Sequence, residues 1–202
     1  DLAHAHGAIF YADAVQAAGM IDIDVQAAGV DALCTGSYKW LMSEFGVAPF
    51  FVSRDVIDRI HPDRIGEFSV EKQEPDYHYQ LLKTGEKFEG TSRAFGAVAQ
   101  LQAALEYLQN ISIARIEQHT VGLASRLYQG LSEQGHRLTT PAGNGSSIVA
   151  FRCSRPIPEV RKTFHDANVE VTVRSGYVRI APALFNNLDE IEQCLAVTKR
   201  LA

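Results

Sequence analysis

The chain has 202 residues, of which 46% are hydrophobic, 21% charged and 9% aromatic, the proportions of a globular protein able to bury one core and a smaller satellite. Lys and Arg number 19 against 24 Asp and Glu, giving a net charge of -5 with no basic stripe to follow a phosphate backbone, so no nucleic-acid partner is expected. No apolar run reaches the roughly 18 to 20 residues that span a bilayer, and no basic-then-apolar leader opens the sequence, so a cytoplasmic protein with no membrane partner is expected.

Residues 1–7, DLAHAHG, read as the last turns of a helix closed by a glycine, with no start signal ahead of them, as if the chain began within an element. Residues 8–12 are a short apolar run that predicts a buried strand ending at Asp13. A second buried strand is predicted at 31–35, reached through a helical or looping stretch around Gly19 to Gly29. A third is predicted at 46–52, where Pro49 suits a sheet edge or a bulge. Strands alternating with helical stretches predict the α/β class with part of the sheet parallel. Residues 61–93, with Pro62, Gly66, Pro75, Gly85 and Gly90, read as one long irregular connection of the kind that usually carries function.

Two amphipathic helices follow. Val98, Leu101, Leu105 and Leu108 stand at helical spacing within 95–109, and Ile116, Leu123, Leu127 and Leu131 within 113–134. A strand at 147–153, a helix at 158–167, strands at 169–173 and 177–181 and a helix at 188–201 then make a small α+β domain. Asn187 and Glu190 are spaced as a capping pair for the last helix. The domains are therefore expected at 1–94, a partial large domain, at 95–135, a helix pair between domains, and at 136–202, the small domain.

Three patterns carry chemistry: Asp13-Ala-Val-Gln16 at a strand end, Ser37-Tyr38-Lys39 just past the next strand, and Tyr177-Val-Arg179 in the small domain. Ligands bind at strand ends in open α/β sheets. A lysine placed there and partly desolvated favours the neutral amine, the form that attacks an aldehyde to give a Schiff base. A carboxylate on the neighbouring strand favours a protonated pyridine nitrogen through the ion pair. By spacing alone both residues keep a plainer reading, since a lysine past a strand is more often a solvated surface residue and an aspartate there more often caps the next helix. The three cysteines, Cys34, Cys153 and Cys194, are too scattered for a disulfide framework or a zinc site and read as buried thiols. The seven histidines show no metal-ligand spacing, and no metal is expected.

The runs YADAVQAAG, IDIDV and VDALCTGSYKWLMSEFGVAPFFV, followed by KFEGTSRAF and by GYVRIAPALFNN with DEIEQCL, resemble in order the class V aminotransferases, the family of cysteine desulfurases, kynureninases and isopenicillin N epimerase-like enzymes. The resemblance implies an α/β fold, the C-terminal part of a fold-type-I pyridoxal-phosphate (PLP) transferase large domain with a small α+β C-terminal domain. It implies PLP as cofactor, an amino acid or amino-acid derivative as substrate, and a homodimer. Lys39 is similar to the catalytic Schiff-base lysine, Asp13 to the partner of the pyridinium nitrogen, and Gln16 to the donor to the ring 3-oxygen. Ser37 and Tyr38 stand where the family contacts the cofactor phosphate, although many relatives have histidine directly before the lysine. Thr91 matches the residue that reaches the partner subunit's phosphate, with a helix N-cap as its plainer reading. Arg179 matches the arginine that pairs with a substrate α-carboxylate, with a surface ion pair as its plainer reading.

Two absences qualify the resemblance. Cysteine desulfurases carry a nucleophilic cysteine just upstream of this arginine, and residues 174–179 contain none, so persulfide chemistry is not expected. Family members are roughly twice as long, so the chain is expected to lack an N-terminal half with its phosphate loop and ring-stacking residue. The expected function is PLP-dependent chemistry on an amino acid by a truncated enzyme, with a non-catalytic remnant that dimerises or binds a partner as the alternative.

Overall fold

The computed structural model describes residues 1–73 and 78–201, which form two compact units, Asp1–Asn110 and Ile111–Ala202. The first begins with helix α1 (Leu2–Ala5), and Gly7, at φ +68, turns the chain out of it. Strand β1 (Tyr11–Asp13) runs parallel to β2 (Ala32–Cys34), and β2 runs antiparallel to β3 (Phe50–Val52), in the order β1-β2-β3. The Asp31 carboxylate fastens the start of this pairing: it accepts the Phe10 N–H at 2.7 Å and lies 2.8 Å from His4 Nε2. The Phe10 N–H first, and His4 second, hold its carboxyl below the usual carboxylate range.

The first strand is not buried as expected: among the described residues it pairs on one side only, with β2, and Phe10 and Tyr11 are exposed. Pro49 precedes the opposite edge strand, where its carbonyl accepts the Thr35 N–H at 3.0 Å. The connection from 61 to 93 is more ordered than expected. It holds a two-stranded antiparallel pair, β4 (Val70–Gln73) and β5 (Tyr79–Leu81), flanked by 3-10 turns at Ile57–Arg59, Glu67–Ser69 and Gly85–Phe88. Three of the four β4 residues are polar, so no alternating apolar signal announced a pairing made by the backbone. Pro75 lies outside the described residues. Helix α2 (Phe95–Ile111) buries Leu101 and Leu108 but leaves Val98 and Leu105 exposed, so only half of its predicted stripe is covered.

The second unit is built on one core. Helix α3 (Ile113–Glu133) buries all four predicted positions, Ile116, Leu123, Leu127 and Leu131. Strands β6 (Val149–Arg152), β7 (Thr172–Arg174) and β8 (Tyr177–Ile180) form an antiparallel sheet in the order β6-β8-β7, and helices α4 (Ile157–His165) and α5 (Leu188–Thr198) complete the α+β unit. Leu127, Leu131, Phe151, Phe164 and Val178 fill the core with at most 2% of their surface exposed. At about 25 cal/mol per Å2 of apolar area, such side chains supply the main stabilising force of the unit. Among the described residues no helix is long and apolar enough to cross a membrane.

The predicted cap of α5 is present: Asn187 Oδ1 accepts the Glu190 N–H at 3.0 Å and the Glu190 carboxylate accepts the Asn187 N–H at 2.9 Å. These bonds, the Asn187 N–H first and the Asn186 amide second, hold the Glu190 carboxyl below its usual range. Its contribution is therefore present above the ordinary carboxylate range and is lost as pH falls through the lowered value. Asn187→Ala removes the acceptor for one of the free helix N–H groups, and a destabilisation of about 1 kcal/mol, read from the denaturant midpoint at neutral pH, is expected.

Candidate functional site

Because β1 and β2 are parallel, both end at the same edge of the sheet, which brings the loops after Asp13 and after Cys34 side by side. Asp13 is opposite Cys34 in the register and is exposed at that edge. Its Oδ1 accepts the Val15 N–H at 3.0 Å, a local turn that fixes the carboxylate against the backbone. The two loops are tied together at several points. The Ala14 N–H donates to the Cys34 carbonyl at 2.8 Å, the buried Thr35 hydroxyl donates to the Ala14 carbonyl at 3.4 Å, and Trp40 Nε1 donates to Gln16 Oε1 at 3.3 Å.

Gly19 is the closest of these contacts. It sits at φ +93, and a Cβ there would lie 2.5 Å from the Trp40 carbonyl oxygen, so only glycine allows the first loop to press on the second. Sequence reasoning used Gly19 only as a boundary and overlooked Trp40. The available signal was that the one tryptophan of the chain directly follows Lys39.

Lys39 lies in the turn after β2, half-buried. Among the described residues its Nζ makes no ion pair and no hydrogen bond; its neighbour is the Tyr38 ring, with the centroid 5.7 Å away. Tyr38 is exposed and stacks on Phe45 with centroids 4.3 Å apart. Ser37 is wholly buried and holds the loop shut: its hydroxyl donates to the Glu44 carbonyl, its N–H donates to the Val47 carbonyl at 3.3 Å, and its carbonyl accepts the Ser43 N–H at 3.0 Å. The structure thus gathers Asp13, Gln16, Ser37, Tyr38 and Lys39 on the two loops at one sheet edge. Thr91 is exposed in the bend before α2.

Arg179 belongs to the second unit. It is on the central strand β8, paired with Ala150 on one side and Thr172 on the other, and its Nη2 donates to the Thr172 hydroxyl at 3.4 Å. Its Nε is buried with no hydrogen-bond partner among the described residues, an uncompensated donor that a carboxylate would satisfy.

The three thiols stand in different settings. Burial pushes the Cys194 thiol up to about 12, Cys153 is buried, and Cys34 accepts the Tyr11 hydroxyl at 2.7 Å. That bond, with desolvation second, raises the Tyr11 phenol above its usual value. Among the described residues no group of three or more His, Cys, Asp or Glu side chains is placed to hold a metal ion.

A sequence model of the aminotransferase class-V family matches residues 1–189. An uncharacterized aminotransferase of Bacillus subtilis, YcbU, is 28% identical over 196 residues, which are 96% of this chain and 52% of that protein. A probable cysteine desulfurase of Pyrococcus abyssi is 27% identical over an alignment of 212 residues that covers 96% of this chain and 52% of the relative. Among solved structures, the apo cysteine desulfurase of Thermococcus onnurineus NA1 matches with a TM-score of 0.88 at 26% identity, covering 99% of this chain and 54% of its own. The expected fold class is the one these likenesses show. The chain spans about half the length of the curated relatives it matches.

Proposed function

Since the chain belongs to the class V aminotransferase family, we propose that it is the lysine-bearing part of a PLP-dependent enzyme acting on an amino acid or a derivative of one. The observation that carries the reading is Lys39, a half-buried residue whose amine is unpaired among the described residues, on the loop after β2, with the exposed Asp13 at the end of the parallel strand β1. These residues fit the cofactor, which needs an amine for its aldehyde and a carboxylate for its pyridine nitrogen.

The chemistry supplied by bound PLP is an aldehyde and an electron sink for the substrate's α-carbon. Lys39 Nζ would hold the cofactor and would serve as the base that takes the α-proton and the acid that returns it. Asp13 holds the ring nitrogen protonated by its opposite charge. Gln16 donates its amide to the ring 3-oxygen. Of the pair before the lysine, Tyr38 is the exposed member able to meet a phosphate, while Ser37 keeps the loop in shape. Thr91 serves the phosphate of a second copy in a homodimer, and Arg179 takes a substrate α-carboxylate in its planar fork.

A second reading has its own support. Several of the relatives are probable cysteine desulfurases, which weighs against the expectation that this chain has no such activity; that expectation rests on the absence of a cysteine from 174–179. Both readings share the coarser assignment, a PLP enzyme.

Adding PLP and reducing with borohydride is expected to place the label on the peptide containing Lys39, and Lys39→Ala is expected to abolish it. Labelling spread over the surface lysines would favour the non-catalytic alternative. Arg179→Ala is expected to raise KM for an amino-acid substrate by the equivalent of about 2 to 5 kcal/mol while cofactor affinity stays near wild type; unchanged kinetics would remove Arg179 from the site. Incubation with cysteine is expected to release no sulfide that depends on the chain's own thiols, and release that disappears on Cys→Ser change at position 34, 153 or 194 would establish the desulfurase reading.

A further inference from the structure

Trp40 was assigned no part by the sequence, yet it touches both loops of the site. Its backbone carbonyl meets Gly19 at a separation that excludes any side chain there, and its indole N–H donates to Gln16 Oε1 at 3.3 Å. An indole N–H is only a donor, so it can meet the amide of Gln16 only at the oxygen. That choice leaves the Gln16 NH2 as the free end. A glutamine without such a partner can present either its oxygen or its nitrogen to a ligand, and the two ends have opposite hydrogen-bonding character.

We propose that Trp40 is a positioning residue: by taking the oxygen of Gln16 it fixes the amide so that the NH2 group is the end offered to an anionic oxygen on the bound cofactor ring. The inference rests on the reading of Gln16 given above, and extends it to the residue that decides which end of Gln16 faces the ligand. Trp40 also directly follows Lys39 in the chain, and its carbonyl packs against Gly19, so both loops meet at this residue.

The test uses the protein loaded with PLP and reads the cofactor's visible absorption band and its affinity rather than turnover. Trp40→Phe keeps an aromatic ring and deletes the N–H. It is expected to weaken PLP binding about three- to tenfold, the loss of one hydrogen bond, and to shift the pH midpoint of the visible band in the same direction as Gln16→Leu. In the Gln16→Leu background Trp40→Phe is expected to add nothing, since the two act as one unit. Gln16→Glu supplies a check that leaves Trp40 in place: the carboxylate still accepts the indole N–H but has no N–H to offer, so the midpoint is expected to move as it does in Gln16→Leu. Trp40 is the only tryptophan, so its unchanged emission in Gln16→Glu reports that the loop is intact. A wild-type band at Lys39 whose midpoint is the same in Trp40→Phe, or effects of the two substitutions that simply add, would overturn this inference alone. A wild-type protein that forms no band at Lys39 would overturn the cofactor reading and this inference with it.

Discussion

The site depends on the parallel pairing of β1 with β2. A parallel pair puts both carboxyl ends at one edge, so the residues that leave the two strands become neighbours although about twenty positions separate them in sequence. The pairing is held at its start by Asp31, which accepts from Phe10 and faces His4, and past its end by the Ala14 to Cys34 bond and the Gly19 contact with Trp40. Three strands of three residues each make a small sheet, and these ties between the connecting segments are what give it a defined edge.

Two lysines show why burial by itself does not mark a reactive amine. Lys87 has 4% of its surface exposed, its ammonium donates to the Ile57 carbonyl and the Phe88 ring stands 5.1 Å away, so it closes off the 3-10 turn at Gly85–Phe88. Lys39 is less buried, yet its amine has no hydrogen bond or ion pair among the described residues. An amine already committed to a carbonyl must give up that bond before it can meet another partner. The same reasoning sets Cys194 aside, since burial holds its thiol protonated.

The second unit achieves precision by different means. Its sheet is antiparallel and covered by helices that share one apolar core, and Gly130 of α3 lets that helix approach Leu195 of α5 so closely that a Cβ would lie 2.5 Å from its methyl group. Arg179 is on the middle strand of this rigid layer. A long, flexible side chain placed there has its backbone fixed on both sides, and it keeps one buried donor without a partner.

The sequence by itself determined the elements whose signal is local. The apolar stripe of α3, the Asn187 and Glu190 cap, the glycine after α1 and the two strands flanking 31–52 follow from periodicity and capping chemistry that neighbours in the chain carry. The order of its motifs was enough to identify the family. Only the tertiary structure decided what depends on partners distant in sequence: that β1 is an outer strand with Tyr11 exposed, that polar residues at 70–73 pair with 79–81, that Val98 and Leu105 of α2 remain in solvent, and that Ser37 is buried against Glu44 while Tyr38 is exposed. The role of Trp40 belongs with these. Nothing in the run from 36 to 42 states that its indole meets Gln16, because that contact exists only once β1 and β2 lie parallel and Gly19 allows their loops to touch.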